Sequence, residues 1–200
     1  MEDHFKTIKE NYGPSLYKIK NSKFYAYAFC ISSEEEIKNH IANIKKEHYQ
    51  ARHWCYAWRL GTEVIRYRAN DDGEPSNTAG QPILGQLQSF DLTNTLIIVV
   101  RYFGGVKLGV GGLISAYRSA AQLCLEESII ITKQITDITE LQFEYALMNK
   151  VMSAIKKQQI TIHKQELENT CKIWIATPKS KTILTRENFA AIYGVKVVFK

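Results

Sequence analysis

The chain has 200 residues, 45% of them apolar, and carries 26 Lys/Arg against 20 Asp/Glu for a formal net charge of +6. That is enough apolar material for one large or two small packed domains, and no segment approaches the ~20 apolar residues that cross a bilayer. Met1–Lys6 lacks a basic stretch followed by an apolar run, so no secretory signal is expected.

From residue 16 the pattern predicts two strands, the second being Phe24–Ile31. Ser33, with Glu36 three residues on, reads as a capping box opening a helix whose stripe is Ile37, Ile41 and Ile44. Trp54, Tyr56 and Trp58 then alternate with His53, Cys55, Ala57 and Arg59, the signature of a strand with one aromatic face. That face is either core or a stacking surface for bases. Across Gly61-Thr62, Val64–Ala69 completes a hairpin with Arg66 and Arg68 on a common face. Asp71–Gly85 is rich in turn residues, and Pro82 suits the first turn of a short helix running toward Leu87.

Next comes the apolar run Leu96–Val100, followed by five glycines among the nine residues Gly104–Gly112 and a helical pattern over Leu113–Leu125. A strand feeding a glycine-rich loop that opens a helix is a common way to build an anion site, because free N–H groups and the helix dipole attract negative charge. The spacing matches neither the phosphate loop G-x-x-x-x-G-K-[ST] nor the dinucleotide pattern G-x-G-x-x-G, since Val110 and Ile114 stand where those motifs need Lys and Gly.

A second part begins near Asp137, after the polar Thr132-Lys133-Gln134. Leu141–Tyr145 reads as a strand, Tyr145 to Lys157 as a helix, and Ile160–Leu167 and Cys171–Thr177 as alternating strands. Lys181–Tyr193 is a helix closed by Gly194, and Val195–Phe199 a last strand. The order β-α-β-β-α-β is the ferredoxin-like arrangement. Charge is uneven: residues 1–132 hold fifteen Lys/Arg against fourteen Asp/Glu, and residues 133–200 hold eleven against six. The asymmetry fits a polyanionic partner or a solvated lysine-rich surface.

The residues with chemistry gather in the first part. Asp71, Asp72 and Glu74 beside Ser76 and Thr78 suit metal ligands or general bases, or else a turn whose Ser76 or Thr78 caps the next helix. Arg101 and Lys107 flank the glycines Gly104, Gly105, Gly109, Gly111 and Gly112 and suit charge-assisted phosphate contacts, or a surface pair bridging to Asp71 or Asp72. His53 suits a proton shuttle or a hydrogen-bonded structural group. It shares a strand face with Cys55, but two ligands without a second pair make no firm metal site, and no cofactor is expected. The four cysteines, Cys30, Cys55, Cys124 and Cys171, lack paired spacing and read as buried thiols in a reducing cytoplasm.

Three segments, His53-Trp54-Cys55-Tyr56-Ala57, the run Asp71 to Leu84, and the glycine segment through Tyr117, together resemble the signature of the IMPACT/YigZ family in the expected order. Two positions depart from it: Asn77 stands where glycine is expected and Val110 where threonine is common. The resemblance implies an α+β protein. Its N-terminal domain, over 1–132, would be an α/β sandwich shaped like the second domain of small-subunit ribosomal protein five, a fold shared with GHMP kinases. Its C-terminal domain, over 136–200, would be ferredoxin-like and similar to the fifth domain of elongation factor G.

Eukaryotic members of the family are linked to translational control through a partner of a stress-activated kinase and carry an additional RWD domain. This sequence starts at the family domain, so that partnership is not expected here. The expectation is a cytoplasmic binding or regulatory protein of translation, contacting RNA or a ribosomal surface through its glycine-rich loop. A Mg²⁺-dependent enzyme acting on a phosphorylated small molecule, with the carboxylates holding the ion, is one alternative. A protein-binding adaptor is the other.

Overall fold

A computed structural model describes residues 3–198. Its first sheet is built around β6 (Thr95–Tyr102), which is buried from Thr95 through Arg101 because helices cover both of its faces. The sheet runs in the order β2 (Tyr12–Ile19), β3 (Ser22–Cys30), β6, β4 (His53–Leu60), β5 (Arg66–Asn70), and every pairing is antiparallel. Side chains alternate along a strand. Leu96, Ile98 and Val100 therefore pack with Tyr27, Trp58 and the Ile37 and Ile44 stripe of α1 (Glu34–Glu47). Ile97 and Val99 face the other way, onto Ile83 and Leu87 of α2 (Gly80–Ser89) and Tyr117 and Cys124 of α3 (Gly109–Glu127).

Of its two readings, the aromatic stripe of β4 takes the first: it belongs to the core cluster that α1 joins, with Trp58 buried and Trp54 and Tyr56 partly buried. Several predicted features take a different form. Ser33 Oγ accepts from Glu36 N at 3.2 Å, but the Glu36 carboxylate accepts from Ser32 N and Oγ at 2.7 and 2.8 Å. The return half of the capping box is thus shifted by one residue. The polar Thr132-Lys133-Gln134 that precedes the second part is strand, the end of β7 (Ile130–Gln134), which pairs with β1 (His4–Ile8) in a two-stranded sheet. α3 starts at Gly109, a turn earlier than its apolar pattern, and takes three of the glycines into its first turn.

The chain divides into two compact units. One is Phe5–Lys133; the other runs from Gln134 onward and includes Asp3 and His4, which the sequence placed with the N-terminal part. In the second unit β8 (Thr136–Glu144), α4 (Met148–Lys157), β9 (Thr161–Glu166), β10 (Thr170–Pro178), α5 (Thr182–Ala190) and β11 (Lys196–Val198) form a sheet ordered β11-β8-β10-β9. Leu141, Phe143, Val151, Ile173 and Phe189 make its core. Both helices are entered through a 3-10 turn, Tyr145–Leu147 and Lys179–Lys181. Of the predicted last strand, Lys196–Val198 is strand and Phe199 lies outside the described residues. Among the described residues no helix is long and apolar enough to cross a membrane.

Candidate functional site

One end of the five-stranded sheet carries the chemistry. The face of β6 that holds Ile97 and Val99 continues to Arg101, which pairs across to Phe24 of β3 and to His53 of β4. These three side chains make a row where the sheet meets the start of α3. Arg101 is 7% exposed, and its Nη1 donates to Glu74 Oε1 at 2.6 Å in an ion pair buried on both sides. Glu74 Oε1 also accepts from Tyr117 OH at 2.8 Å. The Cys55 thiol has one proton to share between the Asp71 carbonyl at 3.0 Å and the Tyr117 oxygen at 3.3 Å. Burial pushes both the Tyr117 hydroxyl and the Cys55 thiol well above their ordinary pKa values. Both stay protonated and act as donors, so neither is a nucleophile at neutral pH.

Glu74 thus receives two donors, while Arg101 keeps most of its own unmatched. Its Nε is buried without an acceptor among the described residues. Among the described residues only Nη1 of its three nitrogens is hydrogen-bonded, and the guanidinium lies 5.7 Å from the ring centroids of both Phe24 and Phe103. A buried guanidinium with spare N–H groups is a site short of an acceptor.

The acidic loop has the opposite character. Asp71 Oδ1 accepts from Ala79 N and Gly80 N at 2.9 and 2.8 Å, and Oδ2 from Asn77 N at 2.9 Å. This one carboxylate therefore caps α2 from outside its own sequence neighbourhood, the role assigned from sequence to Ser76 or Thr78. Ser76 is exposed, and Thr78 is buried with its hydroxyl donating to Pro75 O at 2.7 Å. Asp72 accepts from Trp54 N at 2.9 Å and pairs with Lys45 at 3.2 Å. Asn77 has φ +62°, the left-handed conformation that glycine would supply and asparagine tolerates, so this departure keeps the turn. The three carboxylates point to three different tasks. Among the described residues no group of three or more His, Cys, Asp or Glu is placed to hold a metal ion, which takes from the Mg²⁺ alternative its proposed ligands.

The glycine segment divides as well. Gly104 is pressed against the β2–β3 turn, where an added Cβ would meet Asn21 C at 2.1 Å, and its N–H donates to Ser22 Oγ at 3.1 Å. It is a packing glycine and offers no anion contact. Leu108 is the N-cap of α3, so its carbonyl takes the Gly112 amide and leaves those of Gly109, Val110 and Gly111 without intrahelical partners. Leu108 supplies no side-chain cap, and among the described residues no side chain is hydrogen-bonded to these three amides. Gly105 is exposed with φ +86° and open space around it.

A cleft of about 720 Å³ opens at this helix start. His53, Glu74, Arg101, Lys107 and Gly109 line it; Asp71, Asp72, Ser76, Thr78, Gly104, Gly105, Gly111 and Gly112 do not. The sequence reading missed Arg52 and Phe103, which also line the cleft. The β4 register, which sets residue 53 opposite 101, is the signal that would have found Arg52. His53 Nδ1 lies 2.9 Å from Asp72 O. A carbonyl only accepts, so the proton sits on Nδ1 and leaves Nε2 a lone pair, with no partner among the described residues.

These features define a mixed α/β protein of two units whose N-terminal unit carries a donor-rich cleft at the mouth of a helix. Residues 20–125, which include the whole cleft, match the Impact N-terminal domain. The chain is 36% identical over 156 residues to the IMPACT family member YvyE of Bacillus subtilis (strain 168), covering 78% of this chain and 71% of that protein. It is 32% identical over 168 residues to the IMPACT family member YigZ of Escherichia coli (strain K12), covering 82% and 81%. A crystal structure of a hypothetical protein superposes with a TM-score of 0.72 at 25% identity, over 100% of this chain and 98% of that one. The chain belongs to the IMPACT family.

Proposed function

We propose that this protein is a cytoplasmic binding or regulatory protein of translation that takes phosphate groups of RNA, free or on a ribosomal surface, at the α3 cleft. The observation that carries this reading is the buried Arg101, with its unmatched donors, beside a helix start that no side chain caps among the described residues. Anions are stabilised at helix N-termini by free amides and the helix dipole together. The proposed folds support the same reading. The first unit is taken as the sandwich seen in the second domain of small-subunit ribosomal protein five. The second is taken as ferredoxin-like on its β-α-β-β-α-β order, and its lysine excess suits an RNA backbone.

Fluorescence anisotropy with a single-stranded RNA at two salt concentrations tests the proposal. Binding should weaken with a log–log slope of about −0.7 per phosphate neutralised. Absence of binding at low salt, or affinity indifferent to salt, removes RNA contact. Salt-insensitive results with one co-purifying protein would turn the reading to an adaptor.

A further inference from the structure

We infer that the cleft selects a phosphate monoester, the terminal phosphate of an RNA or a free nucleotide, over the phosphodiester of a continuous strand. The inference rests on the anion-binding reading above and narrows it.

Three observations converge. Charge comes first. The cleft is lined by three cations, Arg52, Arg101 and Lys107, against one carboxylate, Glu74, an excess of two. A monoester carries about −1.5 to −2 near pH 7, whereas a diester carries a single charge. The dianion matches the lining; the diester leaves a cation uncompensated.

Shape comes next. Arg101 is 7% exposed, whereas Phe103, which also lines the cleft, is 59% exposed. A terminal group reaches a recessed cation with one substituent trailing outward. A phosphate in mid-strand must carry chain away on both sides. Phe103, whose ring stands 5.7 Å from the Arg101 guanidinium, is placed to take the sugar or base that trails.

The proton is the third. His53 is held as the Nδ1–H tautomer by Asp72 O, so Nε2 is an acceptor on a ring that lines the cleft. A monoester has a second ionisation near 6 and therefore a proton to share with that nitrogen at physiological pH. A diester has none. In its singly protonated form a monoester can donate this hydrogen bond to Nε2, and as the dianion it answers the charge excess.

The test uses the full chain and RNA decamers of one sequence, phosphorylated at the 5′ end, phosphorylated at the 3′ end, or hydroxylated at both. The matching nucleoside monophosphate serves as competitor. A phosphorylated decamer should bind at least tenfold tighter than the dihydroxyl one. That preference should vanish in Arg52→Gln/Lys107→Gln, where both residues are exposed and the fold is not at risk. His53→Phe should lose the preference for the phosphorylated decamers. Competition by the monophosphate at low concentration assigns the free nucleotide as the source. Preference confined to the decamers assigns the RNA end. Equal affinity for all three decamers overturns selectivity and leaves RNA binding standing. Binding of the monophosphate alone keeps the selectivity and removes RNA. Binding of neither overturns both.

Discussion

Two helix starts lie on the same face of one sheet, and they are finished in opposite ways. α2 has its first amides filled by a carboxylate of its own chain: Asp71 reaches across to Asn77, Ala79 and Gly80. α3 has no such group among the described residues: Leu108 stands at the capping position, and the first turn is Gly109-Val110-Gly111-Gly112 with no acidic residue. The difference shows which sign of charge this end of the molecule lacks. Negative groups nearby are already bound to the protein's own donors, while donors at α3 and on Arg101 are left over. Among the described residues no cluster of ligands is placed to hold a metal ion; an anion would find several donors.

The largest effect expected from disturbing this arrangement is on the ion pair between them. Arg101→Met or Glu74→Gln alone should cost about 3–5 kcal/mol, because each strands a buried partner, while an apolar replacement of both should cost far less. Urea denaturation measures this, and a single-variant loss below about 1 kcal/mol would mean the pair is solvated. Asp71→Ala removes the group that finishes α2 and should cost about 2 kcal/mol by the same measurement. Its effect on anion binding should be small. Val110→Asp supplies α3 with the negative group it lacks. The position is 60% exposed. Stability should rise by about 0.3–1 kcal/mol, and phosphate or RNA should no longer bind. Continued binding by this variant would place the anion elsewhere.

The smallest effect concerns acid and lies on the α1 face. His48 bonds Tyr27 OH at 2.6 Å and Tyr102 OH at 3.0 Å, and burial holds its pKa below the ordinary 6.5 against the pull of Glu47. The folded state therefore favours the neutral ring. This contribution is complete above the unfolded pKa and is lost as pH falls through the lower folded value. Melting temperature should drop between pH 7.5 and 5.5, less steeply in His48→Gln. A residual slope is expected, since burial lowers His40 in the same direction.

Elements whose residues meet locally were legible in the sequence. The apolar run of β6, the helix opened at Ser33, and the β-α-β-β-α-β order all follow from periodicity and capping. What escaped depends on distance along the chain. β1 and β7 are short and find each other across more than a hundred residues. The Asp71 cap acts eight and nine residues away, beyond any i, i+3 pattern. Arg101 read as a phosphate contact or, with Lys107, as a surface pair bridging to Asp71 or Asp72. It is buried instead and bonds Glu74, because β6 carries its inward alternation one step past the apolar run. Glycines read as loop became the first turn of α3, since poor helix formers still join a helix whose later turns are anchored in the core.

The tight fit of Gly104 against Asn21 and Ser22 has a kinetic corollary. With the chain wedged there, the stretch leading into α3 has little room to rearrange, and an incoming anion meets a receptor already set. Encounter should then be governed by diffusion and electrostatic steering, with rates that respond to ionic strength and hardly at all to solvent additives that slow loop motion. Releasing the anchor, by Ser22→Gly, which removes the hydroxyl that accepts from Gly104 N, would convert a set receptor into one that must first organise, and the signature would be a slower capture of ligand at unchanged charge.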